Sequence, residues 1–119
     1  MLIGNTLSDQ LGRYLDLAAG EAKLTAQNMA NIDTPGYRAM GMDFAAEMRS
    51  ALDGVRQGQA PGQIHVKPEE GLIARPDGNN VSMDRESLNL AEAQLKFKTG
   101  VSLLRQQYQT VMDAIHADK

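Results

Sequence analysis

The sequence predicts a mainly α-helical protein with one long helix at each end and a loop-rich middle. Three observations carry that reading. Apolar and small residues recur at helical spacing from Leu7 to Ile32 and again from Leu90 to Ile115. Five Gly and three Pro crowd into residues 54–80, where no long regular element fits. The 119 residues leave room for one ordinary domain and not two.

The N-terminal stripe runs Leu7, Leu11, Tyr14, Ala18, Ala22, Thr25, Met29 and Ile32. Its steps alternate between three and four, as one face of a helix requires. Gly12 and Gly20 lie off the stripe, and each costs a helix about 1 kcal/mol relative to Ala. The helix is therefore weak when alone. Asn31 is placed to end it as a left-handed residue, and Pro35 disfavours helical geometry at Thr34. Thr34-Pro35-Gly36-Tyr37 then suits a type II turn, with Pro fixing φ and Gly taking positive φ. Such a turn reverses the chain and lays Tyr37 against the helix it has just left. Met42, Phe44, Ala45, Met48 and Leu52 predict a short helix over residues 42–53, ending at Gly54.

From Gly54 to Asn80 two readings stay open. Ile64-His65-Val66 and Leu72-Ile73-Ala74 either form a small β-hairpin or belong to a mobile loop. At the start of the last helix, Ser82 and Asp84 are both N-cap candidates. Asp84 would let Met83 staple to Leu88. The C-terminal stripe then runs Leu90, Gln94, Phe97, Val101, Leu104, Tyr108, Val111 and Ile115, a strict heptad. A sustained repeat of this kind marks a coiled-coil seam. Leu88, Ala91 and Leu95 add a second stripe beside it.

Length sharpens the point. A helix over residues 84–116 spans roughly 50 Å, whereas a compact chain of this size is about 35 Å across. The expected architecture is an antiparallel, coiled-coil-like hairpin of the two long helices. Residues 1–33 and 84–119 form one discontinuous helical domain, and residues 34–83 hold the turn, the short helix and the Gly/Pro-rich segment. That pairing covers one seam and leaves Leu88, Ala91, Leu95, Leu103 and Met112 bare. Neighbouring copies are expected to cover them.

Composition narrows the chemistry. Fifteen acidic against twelve basic side chains give a net charge of −3, which disfavours a nucleic-acid binder. Five aromatics without Trp make a poor base-stacking platform. With no Cys, a disulfide, a thiolate nucleophile and a Cys-ligated metal are excluded. His65 and His116 have no partner at zinc or triad spacing, so no metal, cofactor or catalytic residue is expected. Asp77-Gly78-Asn79-Asn80 resembles the start of a calcium loop. However, Ser82 and Leu88 stand where that loop needs Gly and an acidic ligand, so the segment reads as a turn. Asn80-Val81-Ser82 matches a glycosylation sequon by chance beside a helix cap. Tyr14 and Tyr108 read as seam residues. No basic residue precedes an apolar run at the start, and Arg13 is the first basic residue, so no cleaved leader is expected.

Two segments resemble a known family. Asn28-Met29-Ala30-Asn31-Ile32-Asp33-Thr34-Pro35-Gly36-Tyr37-Arg38 is similar to the turn signature of bacterial flagellar rod and hook proteins. Asp77-Gly78-Asn79-Asn80-Val81-Ser82-Met83-Asp84-Arg85-Glu86, ahead of a Leu/Ala/Gln-rich heptad helix, narrows the likeness to the proximal rod family, the FlgB type. Residues 54–76 lie outside it. Ser82, where Asp is more usual, and Gly100 in mid-helix depart from the pattern.

The resemblance implies a non-enzymatic structural subunit of the flagellar basal-body rod. It implies export through the flagellar apparatus without a cleaved signal, a place in the periplasmic rod, and transmission of torque. Its implied partners are copies of itself, rod proteins of the FlgC and FlgF types, the FliE adapter, a membrane-ring protein and the export apparatus. Neither nucleic acid nor membrane insertion is implied. The implied turn residues are Asn28, Ala30, Asn31, Thr34, Pro35, Gly36 and Tyr37, with Asn28 and Asn31 satisfying backbone groups at the helix end. The stripe residues Leu7, Leu11, Tyr14, Ala18, Ala22, Met29, Leu90, Phe97, Val101, Leu104, Tyr108, Val111 and Ile115 would be intersubunit contacts. The rival reading is a soluble coiled-coil interaction protein, such as a secretion chaperone or regulator. A wall hydrolase would need a poised acid pair in a cleft, and Glu69-Glu70 sits in a loop with no sign of one.

Overall fold

In the computed structural model, which describes residues 3–117, three helices carry most of the chain. Residues 1, 2, 118 and 119, the tips of the two expected assembly segments, lie outside the described residues. Helix α1 spans Ile3–Ala30, α2 Phe44–Arg56 and α3 Met83–Ala117. Two-residue strands β1 (Met40–Gly41) and β2 (Lys67–Pro68) pair antiparallel, Met40 opposite Pro68 and Gly41 opposite Lys67. The molecule measures 69 × 26 × 18 Å with a radius of gyration of 18.1 Å. A compact domain of this length would have a radius near 13–14 Å. The rod-like shape follows from the helix lengths.

Helix α1 ends where the periodicity predicts, but by a different device. No described non-glycine residue has positive φ, so Asn31 is not a left-handed cap. Its N–H reaches the carbonyls of both Gln27 (3.2 Å) and Asn28 (3.1 Å), and Ile32 N–H bonds Met29 O. The helix tightens into a closing turn instead. Gly36 then takes φ +76° and Tyr37 N–H bonds Thr34 O at 3.1 Å, as a type II turn requires.

Helix α2 is capped by Asp43, whose Oδ1 accepts from Ala46 N–H. It runs through Gly54, the expected stop, and is closed by Gly58 at φ +69°. A lone helical glycine costs only about 1 kcal/mol, and Gly58 is the position that needs left-handed backbone. The Phe44 and Tyr14 rings meet edge to face, their centroids 5.5 Å apart, and hold α2 on α1. Lys96 from α3 sits 3.9 Å above the Phe44 ring centroid and pairs with Glu21 at 3.0 Å.

The hairpin reading of residues 64–74 is not what forms. Neither 64–66 nor 72–74 is a strand, and β2 pairs with β1, on the far side of α2 in sequence. Pro68 has no N–H to donate, which suits so short an edge pairing. Ile64 packs on Gly20, where a Cβ would come within 2.7 Å of its Cδ1. At the start of α3 the choice falls on Ser82: its Oγ accepts from Arg85 N–H and its carbonyl from Glu86 N–H. Met83 and Leu88 stay exposed, so the Met83–Leu88 staple that an Asp84 cap would allow is not made.

Helices α1 and α3 touch over most of their length. Asn28 meets Glu86, Glu21 meets Lys96, Leu15 lies against Gly100, and Leu7 and Leu11 share a groove with Leu103 and Thr110. Gly100 gives them room: a Cβ would stand 2.6 Å from Leu15 Cδ2 and 3.0 Å from Tyr14 Cδ2, and those side chains would have to shift. Its apparent cost to the helix is the condition for close approach. Among the described residues the buried apolar side chains are only Leu17, Ala18, Ala39, Val81 and Ala93. That core is small.

Candidate functional site: a polar junction and open apolar faces

The two sequence motifs turn out to hold each other. Asn28, 1% exposed, uses its whole amide group. Nδ2 donates to Met40 O (2.8 Å) and Glu86 Oε1 (3.1 Å), while Oδ1 accepts from Met40 N–H (3.0 Å) and Tyr37 Oη (3.2 Å). One side chain thus fixes the strand after the turn, the turn's tyrosine and the first turn of α3. Asn31 stays local, donating to Gln27 O and accepting from Thr34 Oγ1. Ala30, Thr34, Pro35 and Gly36 lie exposed around them.

The second motif closes over the first. Asn79, fully buried, donates to the carbonyls of Asn31 and Thr34, and Gly36 N–H bonds Asp77 O. Gly78 at φ +88° lies so near that a Cβ on it would be 3.3 Å from Gly36 Cα. Asn80 accepts from Ala39 N–H at 2.6 Å and is itself buried, so the sequon there is shielded. Asp77 Oδ1 accepts from Asn79 N–H, so the calcium-like segment is a turn. Arg75 also reaches Ile32 O. Every buried amide here is committed, and the junction is a closed hydrogen-bonded unit.

Beneath it lies an acidic contact that the sequence did not signal. Glu86 is wholly buried, and its Oε2 and that of Glu69 have no hydrogen-bond partner. Burial pushes the Glu86 carboxyl above the usual glutamate range; the Asn28 hydrogen bond opposes this, and the neighbouring Glu69 carboxylate adds to it. Glu69, with Glu21, Arg85 and Asn89, lines a cleft of about 330 Å³. It therefore does face a cleft, contrary to the loop reading. Glu70, the other member of that sequence pair, lines the same cleft.

The stripe residues have a different fate. The line of α3 that α1 buries is Glu86, Ala93 and Gly100, spaced by sevens. Small residues bring the helices close, and the large apolar stripe is turned to the flank. Leu90, Val101 and Leu104 are half-buried, whereas Phe97, Tyr108, Val111 and Ile115 are exposed, Tyr108 by 68%. On α1, Ala18 is buried, Leu11, Tyr14, Ala22 and Met29 are half-buried, and Leu7 is exposed. Leu88, Leu95 and Leu103 are exposed as well. Phe97, with Ala18, Ala22 and Ala93, borders an open apolar groove of about 530 Å³. The sevenfold spacing of Glu86, Ala93 and Gly100 was the readable signal for the inner seam. It was masked because none of the three is a large apolar residue.

Among the described residues no helix is long and apolar enough to cross a membrane, and no His/Cys/Asp/Glu group is arranged to hold a metal. His65 is exposed, its Nδ1 3.0 Å from Glu47 Oε1, and His116 is exposed near the end of α3.

No family model matches the chain. Individual relatives do. The flagellar basal body rod protein FlgB of Salmonella typhimurium is 33% identical over 119 aligned residues, covering 85% of this chain and 86% of the relative. The Escherichia coli K12 protein of the same name is 31% identical over 121 residues, covering 87% and 88%. The one from Borrelia hermsii is 28% identical over 122, covering 87% and 90%. Likeness on this scale covers most of the chain, and the chain belongs to the FlgB family of flagellar basal body rod proteins.

Proposed function

We propose that this chain builds the proximal flagellar rod by packing its two long helices against those of neighbouring copies, and that it carries torque through that packing. As a family member it is a structural, non-enzymatic component of the basal body rod. The carrying observation is the imbalance of its apolar surface. Five small or medium apolar residues are buried, while α3 alone exposes Leu88, Leu95, Phe97, Leu103, Tyr108, Val111 and Ile115. Phe97, Tyr108, Val111 and Ile115 share one side of α3 at helical spacing, and an exposed apolar patch on a monomer marks an interaction surface. The rod shape suits a tube wall better than a closed cytoplasmic oligomer.

In this reading the arms are an antiparallel coiled-coil-like hairpin. The order of contacts supports it, from Asn28 with Glu86 to Leu15 with Gly100. Residues 1–33 and 84–119 act as one assembly domain, and residues 34–83 as its connector. The stripe residues other than the buried Ala18, Leu7 to Met29 and Leu90 to Ile115, form the contact faces, and Asn28 to Tyr37 set the turn that orients them. The partners are further copies, FlgC- and FlgF-type rod proteins, the FliE adapter, a membrane-ring protein and the export apparatus. The chain takes its place in the periplasmic rod.

The test is to place a charge in the seam. Val101→Asp or Leu104→Asp should leave the chain expressed at its usual level and abolish swimming, with the protein missing from purified basal bodies. Normal swimming with either substitution would refute this interface.

A further inference from the structure

Glu86 lies on the inner line of α3, and the Glu69 carboxyl from the segment after β2 is an unusual neighbour for it. Two carboxylate oxygens, Glu86 Oε2 and Glu69 Oε2, are shut away from water with no donor on either. Two ionised carboxylates cannot sit so at low cost, because each loses hydration and repels the other. A single proton between them removes both penalties: it gives one oxygen a donor and the other an acceptor. We propose that Glu86 and Glu69 share one proton, and that this pair is a pH-sensitive clasp fastening residues 67–70 to the junction.

The surroundings assign the proton. Glu69 is the partner with a cation and a donor beside it: Arg85 Nε lies 4.0 Å from its Oε2, and Asn89 Nδ2 donates to its Oε1 at 3.4 Å. Glu86 is the wholly buried one, and its other oxygen is already held by Asn28 from α1. The proton therefore rests on Glu86 Oε2 and is donated to Glu69. The remaining charged groups around the cleft are Glu21 of α1, neutralised by Lys96, and Lys67 and Glu70 on the β2 segment itself. Glu86 takes its side-chain hydrogen bond from Asn28 and not from these groups. The clasp holds a strategic place. Glu69 N–H bonds Ala39 O at 2.9 Å, beside the β1–β2 pairing, so residues 67–70 are attached to the helices at this point. When the proton leaves, two charges face each other in a dry contact and the segment is pushed off.

The sign of the effect follows from linkage. The folded chain keeps the Glu86 proton at pH values where the unfolded chain has lost it. Stability contributed by the pair is complete below the ordinary glutamate range and is lost as pH rises through the raised folded value.

The experiment uses the full-length chain, wild type beside Glu86→Gln and Glu69→Gln, from about pH 4 to about pH 8. Carboxyl carbon NMR of the wild type should show one glutamate titrating above the usual range, and Glu69→Gln should bring it back toward that range. Glu86→Gln keeps the bond from Asn28 and offers Glu69 an amide donor. Its unfolding midpoint should exceed that of wild type at neutral pH, with the difference vanishing at the acid end. The NMR titration stands on the wild type alone, should either variant fold poorly. The proposal is overturned if every glutamate titrates in the usual range, or if the midpoint difference is the same at all pH values. It is equally overturned if calcium or magnesium ions raise the wild-type midpoint at neutral pH and remove the difference, which would make the pair a cation site.

Discussion

The two ends of this elongated molecule are built on opposite principles. At the junction end, polar side chains are buried and matched within the chain: Asn28 makes four hydrogen bonds, and Asn79 ties the turn to the start of α3. At the open end, where the start of α1 lies beside the later turns of α3, Leu7, Leu103, Tyr108, Val111 and Ile115 are exposed. Side-chain hydrogen bonds of α3 there stay within the helix, as from Gln109 to Asp113 and from Thr110 to Gln106. The difference teaches where specificity resides. Buried polar networks admit one geometry, so the junction sets the angle and register of the helices within one copy. Apolar faces are tolerant of partner and await other copies.

That contrast is sharpened by substitutions at each end. Asn28→Ala should have the largest effect on the isolated chain, since it strands Met40 N–H and O, and Glu86, in a buried site. A loss of about 3–5 kcal/mol in a denaturant titration is expected, as for other broken buried networks. A change below about 1 kcal/mol would show that the junction is not what holds the monomer together. Gly100→Ala comes next and tests the seam between the ends. Propensity alone would make it stabilising by about 1 kcal/mol. Against that, the 2.6 Å approach to Leu15 Cδ2 overpacks the seam, which typically costs about 1–3 kcal/mol and outweighs the gain. The net sign should therefore be destabilising. A stabilised Gly100→Ala would mean that the helices are not in close contact there.

Much of the helical framework was legible. The three-and-four spacing located α1 and α3, and Pro35-Gly36 located the turn, because these depend on residues near in sequence. The junction was not legible, because its bonds join residues 58 apart in the case of Asn28 and Glu86, and 48 apart for Asn79 and Asn31. Each motif was visible, but not that one is the receptor of the other. The inner seam was hidden for a related reason. The large apolar residues stand on the Leu90–Ile115 line, whereas the closest approach of the helices uses Ala93 and Gly100. At a helix crossing the absence of a side chain is as informative as its presence, and a single sequence does not distinguish a useful glycine from a costly one. Gly54 and Gly100 look alike in the sequence, yet only at Gly100 is another helix pressed against the backbone.

The most direct test is amide hydrogen exchange on the purified chain, first dilute and then assembled. Slow exchange is predicted in both states for the junction amides of Met40 and Val81. Residues 3–14 and 101–117 should exchange quickly when dilute and slowly once copies associate. Equal, concentration-independent protection along the whole of α3 would contradict the claim that its outer half is completed by neighbouring subunits.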